Sequence, residues 1–279
     1  MKTETSPLKL TLYFDDLDLK TGRKEQLTGV FFPEKYQASD KLKVLLYLHG
    51  HDQPPIDQHL TKINRKKDPD VYLLREELNA SGKNLVLVAP TLGAKSEAGL
   101  LVTNGVDWYL KEVLDRLKKN APPELKIGDS TAFSDLYVMA HSGGGVPLLA
   151  LANAIPAGGA GTLIRQLWGF DCLYAPPGHH PVPYTDYGQM DPFDPEPKWV
   201  TWASAQQGVP LFLHWATDEP RIRMLNVEKL AGGWRPKAKQ KVTLPAAGTL
   251  LNVTVIESQV KEHEPMVRPA MKIRLDALP

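Results

Sequence analysis

The sequence predicts an α/β fold in which helices cover both faces of a mostly parallel central sheet, opened by an antiparallel N-terminal hairpin. Three observations predict it. Short, nearly unbroken apolar runs recur along the chain, as expected of strands buried on both faces. Between them lie longer segments whose apolar residues fall at helical spacing. The alternation of the two calls for right-handed crossovers and hence for strands that run parallel.

Residues 8–14 and 26–32 carry β-branched, aromatic and leucine side chains on either side of a polar, Asp-rich stretch, the pattern of a hairpin at the sheet edge. Residues 42–48, LKVLLYL, form a buried strand that stops at His49-Gly50. Residues 71–78 have helical spacing, Ser81-Gly82-Lys83-Asn84 breaks the helix, and residues 85–89 form the next strand. In residues 105–117 one stripe holds Val106, Tyr109, Leu110, Val113, Leu114 and Leu117, and Lys118 and Lys119 suit a helix C-terminus. Strands follow at residues 136–140 and 167–170, separated by a helix over residues 146–155 with Pro147 in its first turn. Residues 209–216 and 250–256 read as further strands, and residues 266–278 as a terminal helix with Pro269 in its first turn.

Residues 174–207 break this rhythm with seven prolines and five tyrosines or tryptophans, and they show no periodicity. An aromatic, proline-rich insertion leaving a strand C-terminus is a candidate lid or substrate wall, with Tyr174, Trp199 and Trp202 as candidate substrate contacts. The whole chain, residues 1–279, is read as one domain carrying this insertion.

With 42% hydrophobic and 23% charged residues the composition is that of an ordinary globular chain. Lys and Arg number 33 against 32 for Asp and Glu, and this balance argues against nucleic acid and anionic membranes; the partner expected is a small-molecule substrate. The single cysteine, Cys172, excludes an internal disulfide framework. No apolar run follows Lys2 near the N-terminus and none is long enough to span a bilayer, so the expectation is a cytoplasmic chain without signal peptide or membrane span.

The chemistry is expected at strand C-termini. Leu136-Tyr137-Val138-Met139-Ala140-His141-Ser142-Gly143-Gly144-Gly145 has the strand-turn-helix context of a nucleophile elbow, in which a serine at the apex needs small residues on either side, here Ala140 and Gly144. The turn sets Ser142 at a helix N-terminus, where the Gly143 amide can bind an oxyanion. The three glycines lack both the Gly-Lys-Ser/Thr ending of a phosphate loop and the spacing of a dinucleotide fingerprint, and no helix carries a His-x-x-x-His pair. Neither a cofactor nor a metal is expected.

Read together with Leu46-Tyr47-Leu48-His49-Gly50-His51-Asp52, the elbow resembles that of the α/β-hydrolase family, whose members include serine esterases and lipases. The resemblance implies that the residue after the His-Gly pair, His51, gives a second backbone amide to the oxyanion. It also implies that an acid and then a histidine follow the serine in chain order. His263, in Glu262-His263-Glu264-Pro265 before the terminal helix, looks like the family's catalytic histidine. His214 falls inside a strand, where a satisfied core histidine is expected, and His179 and His180 belong to the insertion. Two aspartates compete as the acid. Asp171 ends the strand after the elbow helix, similar to the acid of the pancreatic-lipase branch, and Asp218 ends the next strand, the family's commoner place. Asp171 is favoured because a carboxylate directly after so apolar a strand is expected to be buried and to need a partner. The expected activity is hydrolysis of carboxylic esters through an acyl-enzyme, the alternatives being an amidase or peptidase of the same fold or a binding protein that keeps the elbow without its partners.

Overall fold

The computed structural model describes residues 2–6, 9–51, 53, 55–61, 73–156, 159–172, 208–215, 253–257, 260 and 262–279. The strands among them are β1 (Lys2–Ser6), β2 (Lys9–Phe14), β3 (Thr28–Phe32), β4 (Lys41–Leu48), β5 (Val86–Pro90), β6 (Ala132–His141), β7 (Ile164–Phe170), β8 (Leu211–Trp215) and β9 (Val253–Glu257). The helices are α1 (Ile56–Thr61), α2 (Leu74–Ser81), α3 (Leu100–Thr103), α4 (Val106–Asn120), α5 (Gly145–Asn153) and α6 (Val267–Asp276).

All nine strands join one sheet in the order β1-β2-β3-β5-β4-β6-β7-β8-β9. Pairing is antiparallel from β1 through β5 and parallel from β5 to β9. After β4 the chain goes to one side, to β5, and after β6 to the other side, to β7. The strand order therefore reverses between β4 and β6, and their carboxyl ends flank the crevice that such a switch point opens.

The alternation of side chains explains why both faces are covered. Along β4, Val44, Leu46 and Leu48 enter one apolar cluster with Tyr109 and Val113 of α4 and Leu148 of α5. Leu45 and Tyr47 enter the other cluster, with Leu78 of α2 and Met271 of α6. β5 and β6 divide their residues in the same way, Leu87 and Met139 facing α2 and α6 while Val88 and Val138 face α4 and α5. A strand with two buried faces is apolar at nearly every position, the pattern that LKVLLYL displays from Val44 onward, with Lys43 exposed near its start.

Two expectations need correction. The expected hairpin is not at the edge, because β3 pairs with both β2 and β5 and its five residues are all buried. Val30 and Phe32 fill one cluster and Phe31 the other, and an edge position would have left the N–H and C=O groups along one side of this buried strand unpaired. The edge belongs to β1, KTETS, which pairs antiparallel with β2. Helix α6 starts one residue later than expected, and Pro269 sits in its first turn, where a missing N–H removes no intrahelical bond. The insertion at residues 174–207 lies outside the described residues.

The second correction concerns His214 in β8. It is a core histidine as expected, 1% exposed and edge-on to Phe170, but among the described residues neither ring nitrogen has a hydrogen-bond partner. Burial, with the charge of Arg274 as a lesser cause, pushes its pKa down to about 3 from the ordinary 6.5. The folded state therefore keeps this ring neutral while the unfolded chain takes up a proton below pH 6.5. Its contribution to stability is complete above pH 6.5 and is lost progressively as the pH falls toward 3. His214→Leu is expected to lose about 2 kcal/mol less stability than wild type between pH 7.5 and pH 5. Urea unfolding at the two pH values measures this, and equal losses in the two proteins would contradict it.

Candidate active site

β6 ends at His141, and the next residue, Ser142, has φ +52°. Such a left-handed conformation costs a serine on the order of 1–3 kcal/mol and persists only where the surroundings over-determine it. Here they do. Ser142 opens a 3₁₀ turn, Ser142–Gly144, that leads directly into α5. The turn is packed down on its neighbours, since a Cβ on Gly144 would lie 2.3 Å from the Leu48 carbonyl oxygen and one on Gly145 would lie 1.6 Å from that of Cys172. Glycine at both positions lets the elbow sit between the loops that end β4 and β7.

The β4 loop meets the elbow at the serine itself. A Cβ on Gly50 would fall 2.7 Å from the Ser142 Cβ and 3.2 Å from its Oγ, so the Gly50 backbone lies against the hydroxyl-bearing side chain. His51 lies against the other side of the turn, its ring Cδ2 only 2.0 Å from where a Gly143 Cβ would be. The β4 loop thus packs against both Ser142 and Gly143, through the Gly50 backbone and the His51 ring.

His49 locks this loop. It is fully buried, its Nδ1 lies 2.8 Å from the Gly50 carbonyl, and its Nε2 accepts the Leu92 N–H at 2.8 Å. Because a carbonyl can only accept, Nδ1 carries the proton. Burial pushes the His49 pKa down to about 4, which keeps the ring neutral and able to donate at one nitrogen while accepting at the other. The Ser96 hydroxyl also donates to the His49 carbonyl, at 3.2 Å. Since the Gly50–His51 peptide is trans, fixing the Gly50 carbonyl toward the His49 ring turns the His51 N–H the opposite way.

The end of β7 supplies the third component. Asp171 follows Phe170 with φ +46°, its N–H donates to the His214 carbonyl at 2.8 Å, and its side chain is 0% exposed. A carboxylate removed from water requires a partner. Its Oδ2 lies 3.0 Å from Nδ1 of His263, a residue 92 positions away in the turn before α6. A carboxylate accepts, so Nδ1 of His263 carries the proton, and in the neutral ring Nε2 is left as the basic nitrogen. Cys172, next to Asp171, is buried with its thiol pKa raised by desolvation, which keeps it out of the chemistry of a nucleophile.

No protein-family model matches the chain, and no curated protein matches it in sequence. Solved structures do. The chain is similar to an S-formylglutathione hydrolase from Agrobacterium tumefaciens, with 12% identity, 99% of this chain and 95% of that one covered, and a TM-score of 0.52. The fold is that of the α/β-hydrolases. Lower TM-scores of 0.48 and 0.47 relate it to a thermostable esterase and to Est1E from Butyrivibrio proteoclasticus. The identities are 14% and 13%, covering 97% and 95% of this chain, and it spans 61% of the first protein and 97% of the second.

In this α/β-hydrolase fold the residues singled out from the sequence divide into two groups. Gly50, His51, Ser142 and Gly143 form one cluster, and Asp171 and His263 form a hydrogen-bonded pair. Asp218, Tyr174, Trp199, Trp202, His179 and His180 lie outside the described residues. Among the described residues no group of three or more His, Cys, Asp or Glu side chains is disposed to hold a metal ion. Sequence reasoning gave no role to the ring of His49 or to His141. His141 is 1% exposed, and its Nε2 lies 3.0 Å from the His263 carbonyl. Its place directly before Ser142, at the end of an apolar strand, was the one available signal.

The close packing of the elbow carries a direct consequence. Gly145→Ala has to displace the backbone of Cys172 and is expected to cost about 3 kcal/mol. Chemical denaturation reads the loss as a lower midpoint, and an unchanged midpoint would contradict the packing.

Proposed function

We propose that this protein is a serine hydrolase that cleaves carboxylic esters through an acyl-enzyme. The observation that carries the reading is the hydrogen bond between the buried Asp171 carboxylate and His263 Nδ1, made where the strained Ser142 emerges from the neighbouring strand. A buried acid that serves only packing is costly, whereas one that holds an imidazole in its Nδ1–H tautomer prepares Nε2 to take a proton from a hydroxyl.

In this reading Ser142 Oγ attacks the ester carbonyl while His263 Nε2 removes its proton. The oxyanion of the tetrahedral intermediate is proposed to accept hydrogen bonds from the amides of His51 and Gly143, a role supported by the packing of the β4 loop against Ser142 and Gly143. The imidazolium, stabilised by Asp171, then protonates the departing alkoxide, leaving Ser142 acylated. Water attacks the acyl group by the same route, with His263 again the base, and the acid is released as the serine regains its proton. Asp171 is the acid of this reading in preference to Asp218. Tyr174, Trp199 and Trp202 are proposed to line the acyl or alcohol side of the cleft.

Reaction with a fluorophosphonate probe tests the nucleophile. Wild type is expected to be labelled and Ser142→Ala is not; equal labelling of the two, or none of wild type, would sink the reading. Turnover of a panel of short and long acyl p-nitrophenyl esters tests the rest. His263→Ala is expected to lower kcat/KM by about 10³-fold or more and Asp171→Asn by about 10²- to 10⁴-fold. Asp218→Asn is expected to stay within about threefold of wild type, and a larger loss there than in Asp171→Asn would reassign the acid.

A further inference from the structure

We infer that His141 is a positioning residue that holds the backbone of His263 in register with Ser142 and Asp171; this rests on the proposed hydrolase reading. Three facts about its place converge. His141 is the last residue of β6, a strand hydrogen-bonded to β4 on one side and β7 on the other. Its register partner in β7 is Phe170, the residue before Asp171, and its chain neighbour is Ser142. Its ring is buried, with a centroid 4.5 Å from that of His263 and an angle of 35° between the two planes.

The hydrogen bond has one possible direction. The His263 carbonyl oxygen only accepts, so His141 Nε2 carries the hydrogen and donates across 3.0 Å. His263 itself stands in a turn, outside any strand or helix, that is tied to α6 by the Val267 N–H to the Glu264 carbonyl at 3.3 Å. A base carried on such a turn needs fixing from the framework. It receives two fixings from the same β6–β7 ladder: Asp171 takes its ring nitrogen and His141 takes its backbone carbonyl.

The arrangement also couples base to nucleophile. Because His141 and Ser142 are consecutive, any shift of this strand end moves the hydroxyl and the His263 anchor together and preserves their separation. The ring contact with His263 limits tilting of the imidazole, and the N–H bond limits sliding of its backbone. Misplacement of a reacting group by about 1 Å can cost about 10²-fold in rate, so the anchor belongs to the turnover step rather than to substrate binding.

The test compares His141→Met with His141→Gln, two side chains of nearly the same shape of which only the glutamine can donate to the His263 carbonyl. With p-nitrophenyl acetate as substrate, the methionine variant is expected to lose about 10- to 100-fold in kcat with KM within about twofold of wild type. The glutamine variant is expected to recover kcat to within about fivefold of wild type. Equal kcat in the two variants, or a loss confined to KM, overturns the inference. Thermal melting accompanies both, and because their shapes match, a common loss of stability leaves the comparison intact.

A second readout does not depend on turnover. The downfield proton resonance of the His263 Nδ1–H donated to Asp171 is expected in wild type and in His141→Gln and is expected to be lost or broadened in His141→Met. Its persistence in the methionine variant overturns the positioning role. If wild type and Ser142→Ala fail alike to turn over the ester, the hydrolase reading is what fails, and this resonance still decides what His141 holds.

Discussion

Ser142 and Gly50 meet because β4 and β6 run parallel at the centre of the sheet, with Leu48 paired to Ala140 at their carboxyl ends. Everything else at the site follows from that ladder. Both strands are packed on two faces, so a slip of one residue would turn every side chain into the opposite cluster, whose packing it does not fit. Since the strand order reverses between them, the loops that leave their ends diverge, and the β4 loop packs back onto Ser142 and Gly143 at the end of β6. The strain at Ser142 is borne by this framework, through close contacts of Gly144 with β4 and of Gly145 with the end of β7.

Three buried groups near the site, Asp171, His49 and His141, share one pattern, in which a charge or a ring nitrogen removed from water is paired and the pairing fixes a proton. Asp171 is paired with His263 and thereby fixes its tautomer. His49 has both nitrogens engaged, and burial keeps it neutral, so the Gly50 carbonyl is held over the whole range in which a serine hydrolase would work. His141 donates to the backbone of the residue that Asp171 holds by its side chain. His214 departs from the pattern. Its carbonyl holds the Asp171 N–H, but its ring is buried with neither nitrogen bonded among the described residues.

Much of this was legible in the sequence, and the reasons are local. Apolar runs such as residues 42–48 announce strands with two buried faces, and the stripe of α4 announces an amphipathic helix, because each depends only on periodicity. The elbow was legible because a serine with small residues two positions away on either side, Ala140 and Gly144, between a strand and a helix is a local constraint as well. The burial of Asp171 followed from the apolar strand before it, and the structure finds that carboxylate fully enclosed. What stayed hidden depends on distant partners. The edge strand β1 has a polar sequence without strand periodicity, and α1 and α3 are too short for periodicity to register. The bond from His141 to His263 joins residues 122 apart, and the lock of His49 on Leu92 spans 43, so neither could be read from spacing.

A crystal structure of the protein after reaction with diethyl p-nitrophenyl phosphate would test the central claim most directly. The expected adduct has phosphorus on Ser142 Oγ, with the phosphoryl oxygen about 2.7–3.1 Å from the backbone nitrogens of both His51 and Gly143. In it His263 still donates Nδ1–H to Asp171. Phosphorus on any other residue, or a phosphoryl oxygen turned away from both amides, would contradict the assignment of this strand-end crevice as the catalytic centre.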